Sequence, residues 1–335
     1  EAEKNIIKSE CFNINSFMFG SLEINDKLSL PVEKEKISAV LRQDVKIVFS
    51  EIKSINNKLM LSGTSEISFV YIDSDNRISS EMNARIPFTE IKGVYGVEEN
   101  DTCFVDVRNA VLEMDVRNSS GSENSADFSV IADVLIVTGK KNEIQLLDDV
   151  YSLTSELEIK RSSNFLPFSV KKISDECHFS VEIQCFDQEL REICDKSVSD
   201  ITYSCSMTGN ELIVSGSMNV SVLAKNNEGE YCCYSRACSF EKSIPLEVSS
   251  NRYYISCDAM NSGAEILNDS KVSFFGEIGV SILVIDGKDF DFTVGVDDIS
   301  KKSPKSDEKI VLYYADKGEK IWDIAKENNT SLSYL

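Results

Sequence analysis

The chain has 335 residues and a formal charge of −21, from 35 Lys plus Arg against 56 Asp plus Glu. This charge argues against nucleic-acid binding through phosphates, which needs clustered cations. With 42% hydrophobic residues, 15 Gly and 5 Pro, the composition excludes a disordered or collagen-like chain. At roughly 150 residues per domain, the length predicts two domains and a remainder.

The cysteine pattern and the first residues bear on the cellular compartment. The 10 cysteines show no repeated pair spacing, so free thiols are expected. There is no run of about 18 apolar residues, and we therefore expect no membrane span. The opening Glu1-Ala2-Glu3-Lys4 has no feature of a secretory signal. Because the chain does not begin with Met, the sequence does not decide whether a signal peptide preceded Glu1 and was removed.

An internal repeat organises most of the chain. Residues 35–78 align with 188–231 without a gap, and such self-similarity indicates a duplicated domain. In each repeat the first predicted element is one short amphipathic helix, because apolar residues recur at i, i+3 and i+4. These residues are Ile37, Val40 and Leu41 in the first repeat and Leu190, Ile193 and Cys194 in the second.

The second predicted element of each repeat is a long strand. Residues 59–71 and 212–224 follow the period of two that is typical of a half-buried strand. Gly63 and Gly216 occupy the same position in these strands, where glycine indicates a bend or a close backbone approach. The strands lead into two predicted hairpin loops, Asp73-Ser74-Asp75-Asn76 and Asn226-Asn227-Glu228-Gly229.

The last strands of the two repeats match as well. Alternating apolar residues precede Gly139 in the first repeat and Gly287 in the second. The offset between the repeats is slightly smaller here, which we attribute to a longer loop at 119–125 in the first repeat. We therefore predict a mainly β protein with two tandem β-sandwich or barrel domains, 1–152 and 153–300, each with a short helix.

The composition changes after residue 300. Residues 301–309 are polar with a single Pro, which is typical of a flexible linker. Beyond the linker we predict a strand at 310–314, a turn at Lys317-Gly318, a helix up to Asn328 and the start of a second helix at Thr330. The first helix is indicated by the spacing of Ile321, Ile324 and Ala325.

This tail resembles a LysM module. The family's signature is a turn followed by Leu-Trp-x-Ile-Ala, and here Gly318-Glu319-Lys320-Ile321-Trp322-Asp323-Ile324-Ala325 follows Tyr313. The family closes its sheet with a strand after the second helix, so the resemblance implies a partial, truncated α+β LysM module at 310–335. In wall-binding members the turn lines an N-acetylglucosamine groove. Glu319 and Lys320 replace the family's Asp and Ser/Thr there, which disfavours glycan binding.

Trp322 has two interpretations. It is either a core aromatic of a very small domain or an aromatic contact to a partner. In the second interpretation, the helix presents a mixed aromatic and charged patch. The candidate partner-binding residues are then Lys320, Ile321, Trp322, Asp323 and Lys326.

The repeats are similar to SPOCS domains, which occur in clostridial spore coat proteins. The first repeat carries the matching motifs, which are Leu28-Ser29-Leu30-Pro31, Leu61-Ser62-Gly63, Val70-Tyr71, Ile86-Pro87-Phe88 and the ending Asp149-Val150-Tyr151-Ser152. The second repeat departs from them, with Ser239-Phe240 in place of Pro-Phe and Asp297-Asp298-Ile299-Ser300 as its ending. Its assignment therefore depends on the internal repeat.

Tandem SPOCS domains followed by a LysM module are typical of SipL-like spore coat morphogenesis proteins. The resemblance implies a non-enzymatic scaffold in the mother-cell cytoplasm at the forespore surface and in the spore coat. It also implies two kinds of partner: the coat basement ATPase SpoIVA, bound by the LysM module, and other coat proteins, bound by the SPOCS domains. An exported peptidoglycan-binding LysM protein is the alternative.

The sequence offers few residues for catalysis or metal binding. His178, the only histidine, follows Cys177 in an alternating strand pattern, and neighbours on a strand point to opposite faces, which disfavours a nucleophile–base pair. Cys232 and Cys233 also face opposite sides of a predicted strand, which disfavours a zinc site with Cys238. No phosphate-binding glycine loop occurs. We therefore expect no enzyme activity, cofactor or metal.

Overall fold

The computed structural model describes residues 2–29, 37–79, 81–115, 125–185, 189–246, 252–268, 270–302 and 312–335. Within these ranges the chain forms twelve β-strands, one α-helix and one 3-10 helix. No helix in them is long and apolar enough to cross a lipid bilayer. The strands of the first repeat are β1 (Ala2–Ser29), β2 (Ile37–Ile55), β3 (Lys58–Asp73), β4 (Met82–Gly93), β5 (Thr102–Asp115) and β6 (Ser125–Ser152). Those of the second are β7 (Ser155–Gln184), β8 (Leu190–Thr208), β9 (Glu211–Asn226), β10 (Tyr231–Pro245), β11 (Tyr253–Asn268) and β12 (Lys271–Lys301). The helix α1 spans Ile321–Glu327, and the 3-10 helix spans Leu332–Tyr334.

The described strands form four three-stranded antiparallel sheets, which confirms the mainly β prediction. The first six strands give the orders β1-β6-β5 and β2-β3-β4. The last six repeat this arrangement as β7-β12-β11 and β8-β9-β10. The two halves of the strand sequence therefore share one connectivity, in agreement with the internal repeat.

Each repeat has its own hydrophobic core, built from both of its sheets. Leu59 of β3 and Val130 of β6 are fully buried in the first core, and Leu212 of β9 and Ile278 of β12 are fully buried in the second. β3 and β9 show the predicted alternation of buried and more exposed residues. Two antiparallel sheets that pack their apolar faces together form a sandwich, which fits the predicted class of fold.

The helix predicted at the start of each repeat is wrong, because both segments are strands. In β2 the pairing with β3 slips by one residue between Ile37 and Ala39 and again between Val40 and Arg42. The equivalent slips of β8 lie between Leu190 and Glu192 and between Ile193 and Asp195. Each bulge inserts one extra residue, so apolar residues recur three and four apart although the backbone is extended. Two close bulges therefore produce the spacing of a helix.

Gly63 and Gly216 permit a close backbone approach, as predicted. A Cβ atom on either glycine would lie 2.3 Å from a carbonyl oxygen of the neighbouring strand, β2 or β8. On the other side, Phe88 stands opposite Gly63 and Phe240 stands opposite Gly216 in the register of the sheets. Both repeats thus use a glycine to admit a bulged strand on one side and an aromatic ring on the other.

The predicted hairpin loops are confirmed and share one capping interaction. The amide of Arg77 donates to Oδ1 of Asp73 at 2.8 Å, and the amide of Glu230 donates to Oδ1 of Asn226 at 2.8 Å. A short Asx side chain that binds the backbone a few residues on stabilises a tight turn. The longer loop predicted at 119–125 lies outside the described residues except for its last position.

Polar contacts join the two repeats. Arg42 of β2 pairs with Asp195 of β8 through Nε–Oδ2 at 2.8 Å and Nη2–Oδ1 at 3.0 Å. The alignment places these two residues at equivalent positions, so the repeats meet there through opposite charges. The buried Asp106 of β5 accepts from Ser281 at 2.7 Å and pairs with Lys172 at 2.8 Å. Charge-assisted hydrogen bonds of this kind fix the register between two packed surfaces.

By its internal contacts the chain divides into two compact units. One consists of Ile14–Lys140 and Val170–Ile285 and holds both hydrophobic cores. The other consists of Glu1–Asn13, Lys141–Ser169 and Asp286–Leu335. The boundaries predicted from the sequence, 1–152 and 153–300, stay a prediction.

The strand predicted at 310–314 is wrong for the part that the structure describes. Residues 312–316 have no regular secondary structure, and 310–311 lie outside the described residues, as does most of the predicted linker at 301–309. The turn at Lys317-Gly318 is present, and Gly318 has the positive φ of 99° that glycine tolerates best.

Candidate docking site of the C-terminal helix

The helix α1 is short and is stabilised by contacts at its ends. Ile324 and Ala325 are its buried residues. Asp323 lies in its first turn and Lys326 in its last turn, the distribution that the helix dipole favours. The side-chain amide of Asn328 donates to the carbonyl oxygen of Ile324 at 2.9 Å, so the helix ends where the sequence predicted.

The second helix predicted from Thr330 is only a 3-10 turn, and its cap is the next residue. The hydroxyl of Ser331 accepts from the amide of Ser333 and donates to Oε1 of Glu3 at 2.5 Å. Thr330 does not cap this turn with its hydroxyl. Its backbone amide donates to the carbonyl oxygen of Ala325 at 3.0 Å, at the end of α1.

Asp149, near the end of β6, is the centre of the contact made by α1. Its Oδ2 accepts from the indole Nε1 of Trp322 at 2.8 Å and from Nζ of Lys326 at 2.6 Å. Its Oδ1 accepts from the amide of Val150 at 2.9 Å and lies 3.9 Å from a guanidinium nitrogen of Arg161. The Asp149 side chain is 12% exposed, so this carboxylate is largely removed from water and fully engaged.

The protonation of Asp149 reflects these partners. Burial by itself raises the pKa of Asp149, but the hydrogen bonds from Lys326, Trp322 and the Val150 amide, with the charge of Lys326, outweigh it and lower the pKa. The carboxylate is therefore ionised at neutral pH, which is the form that pairs with a lysine ammonium. The contact is an ion pair reinforced by an indole hydrogen bond.

Tyr151 supplies the apolar part of the same contact. Its ring meets that of Trp322 edge to face, with the centroids 5.0 Å apart, a favourable geometry for two aromatic rings. Its hydroxyl donates to the carbonyl oxygen of Thr330 at 2.7 Å. Tyr151 thus touches the helix with its ring and the segment after the helix with its hydroxyl.

Backbone groups after Tyr151 complete the contact. The carbonyl oxygen of Ser152 accepts from Nζ of Lys302 at 2.7 Å, and the same Nζ donates to Oδ1 of Asn329 at 2.7 Å. The side-chain amide of Asn329 donates to the carbonyl oxygen of Leu153 at 3.0 Å. Every residue from 149 to 152 therefore has either a direct or a supporting role in holding the C-terminal segment.

The five candidate partner-binding residues fall into two groups. Trp322 and Lys326 are half-buried against Asp149, whereas Lys320, Ile321 and Asp323 are exposed. Ile321 is 62% exposed. The two groups therefore differ in exposure and in contact with Asp149.

Glu319, in the turn before the helix, has two local hydrogen-bond partners. Its Oε1 accepts from the hydroxyl of Tyr313 at 2.6 Å, and its Oε2 accepts from the amide of Asp316 at 2.8 Å. The hydrogen bond to Glu319 raises the pKa of Tyr313 to about 12. Glu319 thereby ties the turn to the segment that precedes it.

The residues considered for catalysis or metal binding in the sequence, such as Cys177 and His178, are not part of the contact made by α1. Cys177 is buried and His178 is 70% exposed, so the prediction that they face opposite sides of the strand is confirmed. His178 and two glutamates, Glu176 and Glu277, bring donor atoms within 4.8 Å of one another on an open strand surface. All ten cysteines are free thiols, as predicted.

Sequence reasoning missed Asp149 and Tyr151 as the partners of the helix. Their motif was recognised, but nothing local in it shows that it receives Trp322, which lies 173 residues later than Asp149. The available signal was the difference between the endings of the repeats. The first repeat has Asp149-Val150-Tyr151-Ser152 where the second has Asp297-Asp298-Ile299-Ser300.

Comparison with known proteins gives one match. Residues 36–117 match the family described as SipL, SPOCS domain. No curated protein and no solved structure matches the chain. The matched residues contain β2, β3, β4 and β5, and the match supports a SipL-like protein related to sporulation and the spore coat. The chain thus carries, at 36–117, a segment similar to the SPOCS domain of SipL.

Proposed function

We propose that this protein is a non-enzymatic scaffold of spore coat morphogenesis. Its C-terminal LysM-like segment binds the ATPase SpoIVA, and its two SPOCS-type repeats bind other coat proteins. It acts in the mother-cell cytoplasm at the forespore surface and remains in the coat. The match of residues 36–117 to the SPOCS domain of SipL is the observation that carries this proposal.

The contacts of α1 leave three of the five candidate residues exposed. Trp322 and Lys326 are engaged by Asp149, so the candidate residues that remain exposed are Lys320, Ile321 and Asp323. An exposed apolar side chain suits a protein partner, because protein–protein interfaces have an apolar core within a polar rim. The side chain that the partner removes from water is then Ile321.

The test compares two isoleucines with nearly equal exposure. Ile321 is 62% and Ile299 is 63% exposed, so changing either to Asp leaves the cores intact. We expect Ile321→Asp in the full chain to weaken binding to purified SpoIVA at least about tenfold, because a charge in the buried centre of an interface is costly. Ile299→Asp is expected to bind like the unchanged chain.

Two results would contradict the proposal. Equal binding of both variants to SpoIVA removes the helix as the docking element. Firm retention of the unchanged chain on purified cell-wall glycan, together with no binding to SpoIVA, favours the exported peptidoglycan-binding protein instead.

A further inference from the structure

We propose that Glu176, His178 and Glu277 form a binding site for a divalent transition-metal ion such as Zn²⁺ on the surface of the second repeat. This inference goes beyond the proposed function and does not require SpoIVA. It assigns a role to the only histidine of the chain.

Two neighbouring strands supply the three side chains. Glu176 and His178 are two residues apart on β7, so they lie on the same face of the strand. β12 is the neighbour of β7 in the sheet and carries Glu277. Imidazole nitrogens and carboxylate oxygens are common ligands of zinc. The pairing of β7 with β12 therefore brings together a donor set of one nitrogen and two oxygens.

The donor atoms are close enough for one ion to contact all three side chains. They lie within 4.8 Å of one another, and Nδ1 of His178 is 3.4 Å from Oε1 of Glu277. Zinc binds nitrogen and oxygen at about 2.1 Å with tetrahedral angles, so two of its ligand atoms are about 3.4 Å apart. His178 and Glu277 thus already have the separation of two zinc ligands. Glu176 is 53% exposed and has room to move closer.

A hydrogen bond from the third strand of the sheet orients Glu277. The pairing of β11 with β12 shifts between Ala259 and Ser262, and Asn261 in this bulge donates to Oε2 of Glu277 at 3.1 Å. Oε1 is left on the side of His178. Ligating side chains in metal sites usually have such an outer hydrogen bond, which orients the ligating group.

A contact on the core side of the sheet fixes β7 against β12. A Cβ atom on Gly276 would lie 2.8 Å from Cζ of Phe179, so the ring occupies the space that a side chain would need. Phe179 belongs to the core of the second repeat. Each of these two residues adjoins a ligand in the sequence, so their contact keeps His178 and Glu277 side by side.

The charges at the site favour a cation. Two carboxylates flank one imidazole, whose neutral form is a metal ligand. Within the described ranges neither Glu176 nor Glu277 forms an ion pair with a lysine or an arginine, whereas the nearby Asp175 pairs with Lys242 at 3.0 Å. A divalent ion supplies the positive charge that the two glutamates lack.

The first repeat builds the equivalent sheet without these ligands. The alignment that places Gly287 on Gly139 places Glu277 on Ser129, and the first repeat contains no histidine. Its strands still pair in the order β1-β6-β5. The fold therefore does not require the imidazole or the Glu277 carboxylate, as expected of residues whose role is binding.

The test uses His178 as the reporter, because the chain has no other histidine. The full chain with isotope-labelled histidine is titrated with zinc chloride, and the two imidazole nitrogens are followed by NMR. A nitrogen that coordinates zinc changes its chemical shift. Zinc held only by a thiol does not coordinate the imidazole, so the reporter separates this site from the ten free cysteines.

We expect one imidazole nitrogen to shift and the shift to saturate at one zinc ion per chain. Glu277→Gln and the more exposed Glu176→Gln should each weaken zinc binding at least about tenfold, since even the loss of an outer hydrogen-bond partner costs about 10–100-fold in affinity. Asn261→Ala should weaken binding less than either ligand variant. The matched control, Glu265→Gln, changes an exposed glutamate on β11 and should bind zinc like the unchanged chain.

Two results would overturn the inference. One is a set of imidazole resonances that does not change at about 1 mM zinc, since any Kd would then lie above the millimolar range. The other is equal zinc affinity in the unchanged chain and in both ligand variants, which would mean that the imidazole binds zinc without the glutamates. SpoIVA is absent from the titration, so a failure of the proposed function does not affect either result.

Discussion

The two repeats end at equivalent places on β6 and β12 but differ in what their last residues contact. In the first repeat, Tyr151 is 3% exposed and packs on the C-terminal helix, whereas its counterpart Ile299 is 63% exposed. Asp149 binds Trp322 and Lys326, whereas Asp297 forms only an exposed pair with Lys160. Two side chains thus decide which of two similar strand endings receives the helix.

Elsewhere the repeats agree closely. The paired bulges of β2 and β8, the glycines opposite Phe88 and Phe240, and the Asx turns at Asp73 and Asn226 all recur. These features belong to the backbone and preserve the fold in both repeats. The endings differ because only one of them receives the C-terminal helix.

The largest effect is expected from removing the buried aromatic ring. Tyr151→Ala should lower the free energy of unfolding of the C-terminal segment by about 3 kcal/mol, since truncation of a buried aromatic costs about 3–5 kcal/mol. Ile299→Ala should change it by less than about 0.5 kcal/mol, because an exposed side chain is replaced. Urea unfolding followed by Trp322 emission measures both. Similar losses of unfolding free energy in Tyr151→Ala and Ile299→Ala would contradict the claim that only the first ending holds the helix.

A smaller effect is expected from neutralising the carboxylate. Asp149→Asn should cost about 1–2 kcal/mol, because it removes a charge-assisted bond to a lysine that is itself partly exposed. Asp297→Asn should cost almost nothing, since both members of its pair are more than half exposed. The same urea titration measures both variants. A greater loss of unfolding free energy in Asp297→Asn than in Asp149→Asn would contradict this prediction.

The smallest effect is expected from pH. The pKa of Asp149 is lowered in the folded protein, so its contribution is complete above the ordinary Asp value of about 3.9 and is lost as pH falls through the folded pKa. Trp322 emission should therefore shift to longer wavelength with a midpoint below about 3.9. The Asp149→Asn chain should show no such transition. A midpoint above the ordinary value would show that the carboxylate is not paired.

Much of the fold was predictable because it depends on local patterns. The alternation around Leu59 and Leu212 fixes the face of β3 and β9, and Gly63 and Gly216 mark a close approach that only glycine allows. The helix predicted at Ile37 failed because bulges imitate its spacing. A bulge depends on the partner strand, which a single segment does not reveal.

The candidate site was predictable only in part. The sequence left Trp322 as either a core aromatic or a partner contact and named Lys326 as partner-binding, and in the structure both side chains contact Asp149 of the same chain. A helix pattern shows which side chains share a face, and it does not show which surface covers that face. Tyr151 was recognised as part of a motif, and its role depends on a segment far away in the sequence.

The docking of α1 on the first repeat is tested most directly by acrylamide quenching of Trp322 in the full chain. The unchanged protein and Asp297→Ala should show the same low quenching constant, and Asp149→Ala should show a constant about twofold higher, because its indole loses its acceptor and enters water. Equal quenching in all three chains would contradict the account, since it would mean that Trp322 does not rest on Asp149.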